Sequence, residues 1–395
     1  MQEPRRTQAI ELLTQFAERT GVSGDRPPER YLWTDAFAVC TLLGLTRATR
    51  ASGAAPFTET ALALIDQVHH TLGRHRADDA RKGWLSGLDA KEGEAHPTRG
   101  GLRIGKKLPE RAPGEEIDEE LEWDRDGQYF HYLTKWMHAL DQASRMAGRP
   151  EFNVWARELA QAAHRGFTYA PRGGGKRMHW KMSLDLSRPL VASMGQHDPL
   201  DGFITCAEIE ATAATSPEPA AGPHVADQAA DFAAMIDLRD TATADPLGLG
   251  GLLADAYRVD QLTRSEVLAG DELLEGLLTA AVVGLEHYAR AGDLRRPADR
   301  RLAFRELGLS IGLAAASAMS ERAEGARFGE GSDLRALLGE IGRYAPLRAE
   351  IESFWLRPEH RRTALWLEHG NINDVMLATS LEPDGFLVLS SAAST

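Results

Sequence analysis

The sequence predicts an all-α protein, an (α/α)6 toroid of six helical hairpins, with a long irregular loop over its central cavity. Three observations predict it. Apolar residues recur at helical spacing nearly everywhere, strand-like alternation of any length is scarce, and two kinds of helix alternate along the chain. The 395 residues, 43% apolar and 26% charged, have globular composition and are read as one domain, 1–395.

Breakers place helices near 5–20, 34–47, 57–74, 126–148, 151–166, 184–197, 200–213, 225–239, 246–262, 269–291, 299–323, 333–355 and 360–380, the last broken at Gly370. The clearest is 126–148. There Tyr129, Phe130, Leu133, Trp136, Met137 and Leu140 fall on one face, and Gln128, His131, Lys135, His138 and Gln142 on the opposite stripe. A short hairpin is expected around 167–182, with Gly173, Gly174 and Gly175 at its turn. The stretch 75–122 lacks good periodicity. Trp84, Leu85, Leu88 and Leu102 would anchor it as an ordered loop, and loops that long are usually functional or disordered. The Pro-rich 214–224 reads as a surface connection.

One set of helices is rich in small residues with a carboxylate near its start: Asp35, Asp126, Asp185, Asp245 and Asp374, with the Gly308/Gly312 segment as the sixth member. The intervening helices are amphipathic and charged. Six inner and six outer helices make the toroid.

Charge and length exclude several classes. A net charge of −13 opposes binding to a phosphate backbone. No run of 18 apolar residues exists, so no spanning helix is expected. The N-terminus lacks an apolar signal core, and Cys40 and Cys206 lie in apolar stretches. A cytoplasmic location, with no nucleic-acid or membrane partner, is the expectation.

Trp33 to Phe37 (WTDAF), the acidic-aromatic segment 124–131 (DRDGQYFH), the short joins and the length together resemble the six-hairpin glycosidase superfamily. That group includes unsaturated glucuronyl hydrolases and, by fold, the N-acylglucosamine 2-epimerases. The resemblance covers most of the chain as architecture and only short motifs as sequence. It implies a carbohydrate-active enzyme acting on a small or oligosaccharide substrate. No cofactor is expected, and with no H-E-x-x-H or C-x-x-C and only a helix end after His69–His70, no metal either.

Carboxylates at inner-helix starts have a capping reading and a catalytic one. Aromatic company favours the second: Trp33 precedes Asp35, Glu122, Asp124 and Asp126 straddle Trp123, and Trp180 and Lys181 precede Asp185 and Arg188. Aromatic faces cover the apolar side of a sugar while carboxylates bind its hydroxyls. Glycoside cleavage needs a protonated acid and a second carboxylate, about 5–5.5 Å away for retention or about 6.5–9.5 Å for inversion. Asp35 and Asp126 are the preferred pair, with Trp33, Trp123, Asp124, Gln128, Lys181, Asp185 and Arg188 around the substrate.

Histidine is the competing catalyst. His131 joins the catalytic candidates, and His179, His197 and His369 lie in polar motifs; an epimerase would use such a pair to move a proton beside a carbonyl. GQHDPLDG, with His197, Asp198 and Asp201, and EHGNIND, with Glu368, His369 and Asn373, either bind substrate or close turns. Arg99, Arg103, Lys106 and Lys107 form a positive cluster, in which Arg99 or Arg103 would clamp an anionic group on an acidic sugar. The near match to a phosphate loop at 100–107 fails, because Lys107 replaces Ser/Thr and Pro109 follows. A glycoside hydrolase is the first reading and a sugar epimerase or isomerase the second. A terpene-cyclase-like toroid and a non-catalytic sugar-binding protein complete the set.

Overall fold

A computed structural model describes residues 2–49, 56–215, 222–325 and 333–389. The chain is mostly helical, with a few two- and three-residue strands, and divides into two compact units, Ala17–Ile236 and Met1–Phe16 with Asp237–Leu389. No described helix is long and apolar enough to cross a membrane.

After α1 (Gln2–Arg19), the Ala17–Ile236 unit is built on α2 (Leu32–Thr49), α3 (Pro56–Leu72), short α4 (Ala90–Ala95) and α5 (Glu119–Asp124), strand β1 (Gln128–Tyr129), α6 (Phe130–Ala147) and α7 (Pro150–Phe167). Strands β2 (Thr168–Tyr169), β3 (Arg177–Met178), β4 (Lys181–Met182) and β5 (Pro189–Val191) follow, then α8 (Asp198–Thr215) and α9 (Ala226–Ala233). α2 is buried from Leu32 to Leu45, as expected of a helix apolar all round. α6 packs against α2, α7 and α8, and α7 also touches α8. α7 starts on Pro150, whose missing N–H is harmless there, and α6 stops at Gly148 (φ 66°).

The expected hairpin at 167–182 is present as β2 paired antiparallel to β3, Thr168 opposite Met178. The helix predicted at 184–197 is not. β4 instead pairs with β1 on one side and β5 on the other, and the segment between them turns back through Leu186 at φ 59°. The Asp185 carboxylate there accepts bonds from the Ser183 and Ser187 hydroxyls (both 2.7 Å) and the Ser187 amide. Short polar side chains that bond their own backbone compete with a helix, and Pro189 removes a further donor. Asp185 is therefore an exposed turn residue, not the start of an inner helix.

The 75–122 stretch is held by buried Trp84, Leu85, Leu102 and Ile104, and contains α4 and α5. Of the expected 214–224 connection, residues 216–221 lie outside the described residues.

The other unit carries α10 (Pro246–Arg264), α11 (Asp271–Ala291), α12 (Ala303–Gly325), α13 (Asp333–Gly342), α14 (Pro346–Trp355), α15 (Ala364–Glu368), α16 (Gly370–Leu381) and α17 (Asp384–Leu387). α12 packs against α10, α16, α13 and α14, and α11 against α10 and α13. The single helix predicted over 333–355 is two, because Pro346 opens a new helix at N1. α10 starts where expected: Asp245 accepts from the Leu247 amide (3.2 Å) and Pro246 follows.

Candidate active site

The starts of α2, α6 and α8 bring together side chains from four sequence motifs in the Ala17–Ile236 unit. His131, in the first turn of α6, stands among Trp33 (ring centroids 6.0 Å apart), Tyr129 (5.4 Å), Tyr132 (4.8 Å) and Trp180 (stacked, 6.1 Å). Tyr31 closes the ring of aromatics through a 2.7 Å hydroxyl contact with Tyr132. The β1–β4 pairing sets Trp180 beside Tyr129 (5.0 Å). The short strands thus position the aromatic floor.

Asp198, the first residue of α8, points its Oδ1 to within 3.9 Å of His131 Nδ1. Three buried polar atoms here lack a hydrogen-bond partner: His131 Nδ1, Asp198 Oδ2 and the Trp33 indole nitrogen. Buried polar atoms are almost always paired, because an unmet bond costs about 1–3 kcal/mol. Three such exceptions lie in this cluster, with Asp198 Oδ2 packed against Gly195. The His131 side chain keeps 27% of its surface accessible although Nδ1 itself is covered, so the imidazole has an open edge.

Burial sets the protonation states. Asp198 is pushed up to about 8 by loss of solvent and by the neighbouring Asp201, against a smaller opposing pull from Lys135. Loss of solvent lowers His131 to about 4. At neutral pH the pair is therefore a carboxylic acid beside a neutral imidazole, one proton donor and one acceptor. Asp201, by contrast, has its partners: Lys135 Nζ (2.7 and 2.8 Å) and the Thr134 hydroxyl (2.6 Å) hold it.

The other candidates have assigned work within the fold. Asp35 accepts from the Tyr31 amide (3.0 Å) and faces Arg30 (3.6 Å), and burial raises it to about 6. Asp126, fully buried, accepts from Arg103 (2.9 Å) and the amides of Gly105 (3.0 Å) and Lys106 (3.3 Å). Arg103 therefore meets Asp126, and Arg99 bonds Glu158 (2.9 and 3.0 Å). Gln128 bonds the Leu102 amide and the Gly100 and Leu184 carbonyls. Lys181, fully buried, is held by Glu122 and the Arg125 carbonyl, and Arg188 by the Arg111 carbonyl. His179 stacks on Tyr169 (4.3 Å), and His197 lies one residue before α8. Trp123 is 54% exposed with its ring at the edge of Trp180, beside exposed Asp124.

Glu368, His369 and Asn373 belong to the other unit. Asn373 accepts from the Phe304 amide and donates to the Trp366 carbonyl (both 3.0 Å), His369 packs its ring edge on Phe304, and Glu368 is exposed.

Tyr31, Tyr129 and Tyr132 are the site residues the sequence did not single out. The signal was the aromatic density of YLW and QYFHY; Tyr129 shares the apolar stripe of α6 and reads as core. Among the described residues no group of three or more His, Cys, Asp or Glu is placed to hold a metal ion. No protein-family model, curated protein or solved structure matches the chain.

Proposed function

We propose that this chain is a carbohydrate-active enzyme of the epimerase or isomerase type, with His131 and Asp198 as its proton-transfer pair. The observation that carries this reading is their placement. Half-buried His131 and buried Asp198 lie 3.9 Å apart on an aromatic floor, with His131 Nδ1 and Asp198 Oδ2 making no side-chain hydrogen bond. Stacking rings suit the apolar face of a sugar, and the indole N–H of Trp33 suits a hydroxyl or carbonyl oxygen. In the proposed reaction neutral His131 takes the proton from the carbon beside the sugar carbonyl as Asp198 donates its own to the carbonyl oxygen. The C–H bond breaks and an O–H bond forms. Protonated His131 then gives its proton to the former carbonyl carbon of the enediol while the Asp198 carboxylate takes the proton of the other enediol hydroxyl, which leaves the isomeric sugar with its carbonyl on the neighbouring carbon.

Glycoside hydrolysis is the second reading, favoured by a carboxyl held in its acid form as a leaving oxygen requires. The proton donor would be Asp198, because Asp35 and Asp126 are committed to arginines and backbone amides. Small-residue helices flanked by amphipathic ones in each unit support the six-hairpin toroid as the proposed architecture.

Incubation with aldoses, N-acyl hexosamines and aryl glycosides in D2O separates the readings. Deuterium entering an unbroken sugar at the carbon beside the carbonyl, lost in His131→Ala and Asp198→Asn, is the expected result. Release of the aryl group without label, abolished by Asp198→Asn, would replace it with the hydrolase. Neither reaction with any sugar would overturn both.

A further inference from the structure

We infer that the sugar taken by this site carries an anionic group, a carboxylate or a phosphate, and that the Lys106 ammonium is its counter-ion. The inference rests on the sugar-binding reading above and adds the substrate's charge.

Lys106 is the cation of the site that no described carboxylate claims. The surrounding cations are all spoken for: Arg30 by Asp35, Arg103 by Asp126, Lys135 by Asp201 and Lys181 by Glu122. Lys106 is half-buried, and its Nζ makes no ion pair or hydrogen bond among the described residues. Instead the ammonium stands 5.6 Å over the ring of Tyr31, whose hydroxyl is bonded to that of Tyr132, the neighbour of His131. A cation over an aromatic face is attracted to the ring but keeps its N–H donors free, so an anion can still add charge-assisted hydrogen bonds there. Loss of solvent lowers its proton affinity, with Asp124 and Asp126 opposing, so an anion arriving there restores what burial removed.

The backbone holds this lysine in place. Its amide donates to Asp126 (3.3 Å), and its carbonyl accepts from Arg76 (2.7 Å), which stands 3.8 Å from the same carboxylate. Arg103 ties Asp126 to the Arg74 and Thr71 carbonyls as well (3.1 and 2.8 Å). Asp126 and Arg103 thus act as positioning residues. They fix the loop that presents Lys106, a use of four charged groups that a solvated surface loop would not need.

Direct binding to the full-length protein tests this, with D-glucuronate, D-glucose 6-phosphate, D-glucose and inorganic phosphate as probes at low and at 0.5 M salt. The expected result is tighter binding of one or both anionic sugars than of glucose, diminished by salt. Lys106→Gln should weaken the anionic sugars by roughly tenfold relative to glucose, and Lys106→Arg should retain most of the preference. Glucuronate and glucose 6-phosphate distinguish the carboxylate from the phosphate source. Equal affinity for charged and neutral sugars, or a preference that survives Lys106→Gln in a variant with wild-type circular dichroism, overturns the inference and leaves the sugar reading standing. Lys106-dependent binding of inorganic phosphate with no affinity for any sugar keeps the anion site and removes the sugar reading. No binding of any probe overturns the inference.

Discussion

His131 and Asp198 move in opposite directions from their usual ranges, and the pH dependence of stability follows from that. Asp198 stays protonated in the folded chain up to about pH 8, whereas the unfolded carboxyl ionises near 3.8. Between those values the folded state binds the extra proton, so this group makes stability fall as pH rises. His131 is lowered from 6.5 to about 4, so between those values the unfolded state binds more protons and stability rises with pH. The two slopes oppose each other from about pH 4 to 6.5. Above 6.5 only Asp198 of the pair contributes, with a limiting slope of about 1.4 kcal/mol per pH unit. Thermal unfolding of the wild type should therefore shift to lower temperature between pH 6.5 and 8, and Asp198→Asn should be flatter over that window. Parallel curves for the two proteins would mean that Asp198 is ionised in the fold, and the proton-donor role would go with it. The sequence placed both residues in polar motifs, but it could not pair them. Their meeting depends on α8 lying beside α6, which no local pattern encodes.

The α6–α8 contact shows what an isolated helical pattern leaves open. The stripe of His131, Lys135, His138 and Gln142 is legible from spacing alone, yet it does not face solvent. Lys135 meets Asp201, His138 Nδ1 meets Glu208 (2.8 Å), and Arg145 meets the Thr212 hydroxyl (2.7 Å), all along one seam. Asn153 of α7 joins from the other side through Asp141 (2.8 Å). Buried charges persist in such a seam only because each has its partner, and removing one partner costs about 3–5 kcal/mol. Lys135→Met should therefore destabilise the chain by roughly that amount in urea titration. Combining it with Asp201→Asn should recover part of the loss, since the uncompensated carboxylate is gone. A single-variant loss below about 1 kcal/mol would place the pair in effectively aqueous surroundings. The seam also explains the misplaced helix at 184–197. Once α6 pairs directly with α8, the connecting segment is free to form the small sheet, and its Ser, Asp and Pro residues favour that.

At the scale of the whole chain, the described residues fall into two compact units, each built mainly of packed helices. The sequence reading of buried, small-residue helices holds for α2, α10 and α16 and fails at Asp185, which lies in a turn, because composition reports burial and not the element that provides it. It did not show where the chain divides into two units, since both share that composition. In the Asp237–Leu389 unit the closest approach is between α10 and α12. A Cβ on Gly250 would lie 2.1 Å from the Gly308 carbonyl oxygen, and one on Gly312 would lie 2.6 Å from that of Gly250. Both obstacles are backbone, so neither can rotate aside. Gly251, the next residue in the same helix, has nothing within 4 Å of the position a methyl group would take there. The two glycines should then answer the same substitution with opposite signs. Gly250→Ala must push the helices apart and lose about 1–3 kcal/mol or more, as overpacking does. Gly251→Ala keeps the packing and gains the helix propensity of alanine, about 0.8–1.0 kcal/mol. Chemical denaturation of the two variants alongside the wild type reads both shifts in one experiment. Destabilisation by both would mean that α10 has another neighbour at Gly251, and stabilisation by both would mean that α10 and α12 stand further apart than the glycine contact requires.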